Sequence, residues 1–207
     1  MNDQKIKIPE LPNSLKGDWN DFNKVKEFDI NHKFFKRDFW IEKKWRILHD
    51  WLSEYMIDTQ DKKIIDVSCG SGPTLEIMRY FGYEIMGVDF HGSYNTSPYQ
   101  PLLDSQKIPC IIHDCRNTPF PFKDRQFDVL INEGAMSFYK VRKDISMWYD
   151  IVNEFFRITN ETIFLSVNFG WGLDEGRKYQ SSEDNKKEWT LIKQFDNIYK
   201  WKRNEEN

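Results

Sequence analysis

The run Ile64-Ile65-Asp66-Val67-Ser68-Cys69-Gly70-Ser71-Gly72-Pro73 constrains this chain more than any other. Ile64 to Val67 reads as a buried strand, two glycines one residue apart make a turn, and Pro73 opens a helix that runs to Phe81 and stops before Gly82. A strand that passes through bare backbone straight into a helix N-terminus leaves room for a ligand to touch main chain beside that terminus. A branched side chain at Gly72 is expected to fill the space where the ligand approaches.

The pattern after this turn is that of parallel strands joined by crossover helices. Short apolar runs at Glu84 to Asp89, Cys110 to Asp114, Phe127 to Asn132 and Thr162 to Phe169 predict four more strands. Ile145, Trp148, Tyr149, Val152, Phe155 and Phe156 recur at helical spacing after Asp144, a capping residue. Trp189 to Phe195 and Ile198 to Trp201 flank the turn dipeptide Asp196-Asn197, so a terminal antiparallel hairpin is expected.

Acids stand at three strand ends. Asp66 closes the first strand, where a carboxylate repels pyrophosphate but can help hold an ammonium or order the turn. Asp89 closes the second, placed to take both hydroxyls of a ribose. Asp114 follows the third, placed to accept from an exocyclic adenine amine. A dinucleotide fingerprint wants a further glycine three positions after Gly72, where Leu75 stands, so the pyrophosphate reading loses weight.

In these pieces the sequence resembles the class I S-adenosylmethionine-dependent methyltransferases. Asp66 to Gly72 corresponds to the family's acidic glycine-rich motif, Gly87-Val88-Asp89 to its ribose acid, and His113-Asp114 to its adenine-side acid. Thr118 to Leu130, with Pro119-Phe120-Pro121-Phe122, looks like the proline-phenylalanine loop and fourth strand of the subgroup that includes quinone-biosynthesis and small-molecule enzymes. The likeness covers about Lys62 to Val167; Ser68 departs from it, standing where glycine is common. It implies a doubly wound α/β sheet, mostly parallel and seven-stranded, with a C-terminal antiparallel hairpin and a helical N-terminal cap. It also implies S-adenosylmethionine as cofactor. The contacts would come from Asp66, Ser68, Cys69, Gly70 and Gly72 in the turn, Asp89, Phe90 and His91 after the second strand, Asp114 and Cys115 after the third, and Asn132 at the end of the fourth.

Methyl transfer from a sulfonium mainly needs alignment and exclusion of water, so few catalytic groups are expected. Glu133, directly after the fourth strand, is the candidate for polar work at the acceptor. Ordering the cofactor or the next loop is the competing role for it. His32 is a lesser candidate base, whereas His49 and His113 read as structural. Cys110, His113 and Cys115 cluster in sequence, but strand alternation turns Cys110 away from the other two, so no metal site is expected.

Before the sheet, Trp40, Ile41, Lys44, Ile47, Leu48, Trp51, Leu52, Tyr55 and Met56 trace one stripe, predicting an amphipathic helix from about Asp38 to Met56. Residues 1–38 are expected to act as a lid, with residues 39–207 forming one methyltransferase domain. With 30 Lys and Arg against 33 Asp and Glu, the net charge is −3, which argues against a nucleic-acid binder. One basic aromatic patch, Lys33 to Arg46, is the exception. No run suits a membrane span and three cysteines make no disulfide framework, so a cytoplasmic enzyme with a small-molecule acceptor is expected. An RNA or protein methyltransferase, or a non-catalytic cofactor-binding protein, is the alternative. The acceptor and the oligomeric state are not legible.

Overall fold

A computed structural model describes residues 10–15, 41, 42, 44, 45, 61–90, 99–133, 145–166, 188–195 and 198–204. Its strands are β1 (Lys63–Val67), β2 (Glu84–Asp89), β3 (Cys110–Ile112), β4 (Phe127–Asn132), β5 (Thr159–Ser166), β6 (Trp189–Phe195) and β7 (Ile198–Arg203). The helices are α1 (Pro73–Tyr80), α2 (Gln100–Ser105) and α3 (Ile145–Ile158). Residues 41, 42, 44 and 45 are also helical, in agreement with the stripe; the rest of that helix lies outside the described residues.

The seven strands form one sheet in the order β3-β2-β1-β4-β5-β7-β6. The first five are parallel, and β7 pairs antiparallel with both β5 and β6. Strand order therefore reverses between β1 and β4, and in an open parallel sheet the crevice at the carboxyl ends beside such a switch is where ligands bind.

Both faces are covered, which is why the central strands lack polar alternation. Ile65, Val67, Leu130, Ile163 and Leu165 pack on one side with Phe155, Ile151 and Phe120. Ile64, Val129, Ile131 and Phe164 pack on the other with Leu75, Met78 and Leu103. Ile41 and Trp45 join that second core, and the Trp45 ring stacks on Phe81 just after α1, centroids 5.5 Å apart and planes 8° from parallel.

β1, β7 and α1 differ from the expectations by one or two residues at an end, β3 and β5 differ for clear local reasons, and one helix is additional. β3 ends at Ile112 because Asp114 and Asn117 enter a turn, with Asn117 N–H donating to the Asp114 carbonyl at 2.8 Å. β5 begins at Thr159, directly off α3, where the Thr159 hydroxyl donates to the Phe155 carbonyl at 2.6 Å and closes the helix. The additional helix, α2, has only Leu102 and Leu103 buried, too short a stripe to show as a period in the sequence.

The proline-phenylalanine loop is held by Arg157. Its guanidinium donates to the carbonyls of Phe120 (3.1 Å) and Phe122 (2.9 Å) and to the carboxylates of Asp124 (2.7 Å) and Glu154 (2.6 and 2.7 Å). Glu154 in turn accepts from Phe120 N–H at 2.6 Å. Burial pushes the Glu154 carboxyl up, but Arg157 and the Phe120 amide outweigh it and hold the acid below its usual range. One charged pair on α3 thus fixes the loop leading into β4.

Candidate functional site

The glycine turn leaves β1 and folds over β2. Ser68 and Cys69 N–H groups both donate to the Val88 carbonyl, at 2.6 and 3.1 Å, and Gly72 N–H donates to the Cys69 carbonyl at 3.0 Å. Ser68, Gly70 and Gly72 all have positive φ, 70°, 55° and 76°. The two glycines have different duties. Among the described residues a Cβ on Gly70 would meet nothing nearer than the Tyr99 ring, at 3.9 Å, so with respect to them this is the open side of the turn. A Cβ on Gly72 would lie 2.8 Å from Leu103 Cδ2 and 3.0 Å from Ile108 Cδ1. The expectation that a side chain at Gly72 would fill ligand space is therefore corrected: the missing Cβ faces the core, and Gly70 is the position that leaves space.

Around this turn the strand ends gather charge. Asp66 is 4% exposed, Asp89 8% and Lys44, from the N-terminal helical segment, 8%. The Lys44 ammonium pairs with the carboxylate of Glu133, just past β4. Burial pushes the Asp66 carboxyl up to about 8; Lys44 pulls it down, Glu133 and Asp89 push it further up, and a hydrogen bond with Thr74 pulls it down. Asp66 at the end of β1 and Glu133 just past β4 thus share one buried cation, with Asp89 of β2 close enough to Asp66 to raise it. Lys44 is placed by packing, because its neighbours Ile41 and Trp45 are locked in the core over α1. Asn132, 1% exposed, donates from Nδ2 to the Val67 carbonyl at 2.7 Å, tying β4 to β1, while its Oδ1 is buried without a hydrogen-bond partner among the described residues.

The remaining sequence candidates fall around this centre. Phe90 is half-buried directly after Asp89, and His91 lies outside the described residues, as does the segment read as a lid apart from residues 10–15. Asp114 follows β3, with the neighbouring His113 N–H donating to the Asp89 carbonyl at 3.3 Å. Its carboxylate accepts from Arg116 Nε at 2.8 and 3.0 Å and from Arg116 N–H at 3.0 Å. Burial raises Asp114, but those Arg116 bonds prevail and lower it. Cys69 is buried at 6% exposure, and Cys115, at 1%, belongs to the core of the opposite face. The alternation used against a metal does not apply to residues 113–115, since β3 has already ended; among the described residues no group of three or more His, Cys, Asp or Glu is arranged to hold one.

Lys44, Tyr99 and Thr74 were missed. Lys44 had a signal, a lysine inside an apolar stripe, which implies a buried partner. Nothing local marks Tyr99.

A parallel sheet with this order, a glycine turn after β1 and buried acids at adjacent strand ends is the class I methyltransferase architecture. Residues 65–162 match the family model described as a methyltransferase domain. Over that segment the chain is similar to the methyltransferase domain family, and its fold is that of the class I S-adenosylmethionine-dependent methyltransferases. A Methanococcus maripaludis protein assigned as an S-adenosyl-L-methionine-dependent methyltransferase superposes with TM-score 0.51 at 16% identity, covering 98% of this chain and 95% of that one. Magnesium protoporphyrin IX methyltransferase from Synechocystis PCC 6803, solved with bound SAM, superposes with TM-score 0.59 at 12% identity, covering 90% and 92%. Likeness at these identities is one of fold. An uncharacterized protein of Haemophilus influenzae is 30% identical over 109 residues, which span 50% of this chain and 43% of that one. The match thus covers less than half of that relative. No helix among the described residues is long and apolar enough to cross a membrane.

The residues present suit the family's cofactor. Among the described residues Gly70 leaves the turn open, Asp89 is a buried acid at the end of β2, and Asn132 Oδ1 is a buried acceptor without a donor.

Proposed function

We propose that this chain binds S-adenosylmethionine over the carboxyl ends of β1, β2 and β4 and transfers its methyl group to a small-molecule acceptor. The observation that carries the reading is the pair of buried acids, Asp66 and Asp89, flanking a turn whose Gly70 side is open among the described residues. When bound, the cofactor supplies a methyl group on a sulfonium, which leaves as a neutral thioether. Asp89 would grip the ribose hydroxyls, and Gly70 would admit the amino-acid end beside Asp66. Ser68, Cys69 and Gly72 would shape the turn, and Phe90, His91, Asp114 and Cys115 would form the nucleoside side. Asn132 would accept from the ligand through Oδ1.

Glu133 is assigned to the acceptor side, where its carboxylate, oriented by Lys44, would hold the nucleophile in line with the methyl group. A hydroxyl acceptor would also have to lose its proton, and Glu133 is the acid at hand to receive it. A small acceptor is favoured over RNA because the whole chain carries a charge of −3. A cytoplasmic setting is our reading for the same enzyme.

Calorimetry tests the first half. S-adenosylmethionine and S-adenosylhomocysteine should bind, NAD should not, and Asp89→Ala should cost about 1.5–3 kcal/mol of affinity through lost charge-assisted hydrogen bonds. Binding of NAD with no heat from either S-adenosyl compound would overturn the reading. For the second half, Glu133→Gln should keep S-adenosylhomocysteine affinity and lower transfer of labelled methyl from S-adenosylmethionine to small-molecule acceptors.

A further inference from the structure

We propose that Cys69 and Cys110 are an oxidative modification site: a peroxide joins them in a reversible disulfide that pulls the glycine turn away from its ligand-binding shape. The second clause rests on the reading of that turn as the cofactor cradle. The two sulfurs lie 4.0 Å apart although they are 41 residues distant in sequence. They meet above Gly87, and the absence of a side chain there makes the meeting possible. A Cβ on Gly87 would stand 2.8 Å from Cys69 Sγ and 3.4 Å from Cys110 Sγ. β2 thus carries a glycine directly between the thiol of the turn and the thiol of its neighbour strand, with Gly87 paired to Cys110 across the sheet.

The chemistry has a defined order. Cys110 is the half-buried member and Cys69 the buried one, so Cys110 meets the oxidant. Its thiol and a hydroperoxide exchange to give the sulfenic acid and water (or the corresponding alcohol). The Cys69 sulfur then attacks the Cys110 sulfur, forming S–S and expelling a second water. The hydrogen bond with Cys110, together with burial, raises Cys69 well above the usual thiol range, so Cys69 is not the thiol that reacts with the peroxide but the one that resolves the sulfenic acid beside it. Bond formation must bring the sulfurs from 4.0 Å to about 2.05 Å. β3 is anchored in the sheet, whereas Cys69 sits on a turn between two residues of positive φ, Ser68 and Gly70. The turn therefore yields, and with it the open side at Gly70.

The full chain, reduced and then treated with hydrogen peroxide, tests this. Mass spectrometry should show a loss of two hydrogens, peptide mapping should place the link at Cys69–Cys110, and dithiothreitol should reverse it. Cys115 should stay free, and Cys110→Ser should abolish the link. The oxidised protein should bind S-adenosylhomocysteine at least tenfold more weakly than the reduced protein. No link, or one that includes Cys115, overturns the site. A Cys69–Cys110 link with unchanged affinity overturns the distortion of the turn. If the reduced protein binds no S-adenosyl compound, the proposed function fails, and the mapping still decides the disulfide.

Discussion

Replacing Gly72 by alanine separates the packing duty of the turn from its ligand duty. At φ 76° an alanine carries the left-handed cost of about 1–2 kcal/mol. Its Cβ would also approach Leu103 Cδ2 to 2.8 Å and Ile108 Cδ1 to 3.0 Å. Leu103 is 0% and Ile108 2% exposed, so neither has free volume to retreat into, and overpacking of this kind adds about 1–3 kcal/mol. The total, about 2–5 kcal/mol, corresponds to a fall in Tm of about 4–20 °C for a domain of this size. Gly70→Ala carries only the backbone cost, about 1–2 kcal/mol or about 2–8 °C, because its nearest neighbour among the described residues is Tyr99 at 3.9 Å. Scanning calorimetry and S-adenosylhomocysteine titration on the same preparations should therefore give opposite orders. Gly72→Ala loses more stability, and Gly70→Ala loses more affinity per degree of Tm. If Gly70→Ala proves the less stable of the two, the assignment of Gly72 to the core is wrong.

Three further outcomes follow from the charged groups. Asp66 titrates near 8 when folded but near 3.8 when unfolded, so between those values the unfolded chain binds fewer protons and stability falls as pH rises. Asp66→Asn should gain on the wild type between pH 5 and pH 8 in urea melts of the ligand-free protein; an equal difference at both pH values would contradict the burial argument. Lys44→Met should cost about 2–4 kcal/mol by leaving Glu133 without its cation, and strictly additive losses in the Lys44→Met/Glu133→Gln double variant would show that the two do not interact. Arg157→Ala should cost a similar amount, about 2–4 kcal/mol, and Arg157→Lys should recover less than half of it, since an ammonium cannot span the Phe120, Phe122, Asp124 and Glu154 oxygens; a lysine variant as stable as wild type would refute the forked geometry.

Much of the sheet is written locally. Ile64 to Val67, Glu84 to Asp89 and Phe127 to Asn132 are apolar runs bounded by turn residues, and the structure returns β2 and β4 with the same ends and β1 one residue longer. The acids Asp66 and Asp89 are legible because a strand end in a parallel sheet is also a crevice edge, so position along the chain implies position in the site. What chain order cannot carry is the meeting of groups from distant segments. Lys44 reaches Glu133 across 89 residues only because Ile41 and Trp45 dock on α1, and that docking depends on the shape of a core that no local period describes. Asp66 looks like an ordinary ionised acid in the sequence; its raised titration comes from complete burial beside two other carboxylates, a property of the assembled strand ends. The direction in which Gly72 lacks a side chain, and the contact of Cys69 with Cys110 over Gly87, were likewise decided by packing. Local sequence determines which strands form and where they end, because backbone periodicity is a short-range property, whereas charge balance and steric clearance at the site arise only when the strands lie side by side.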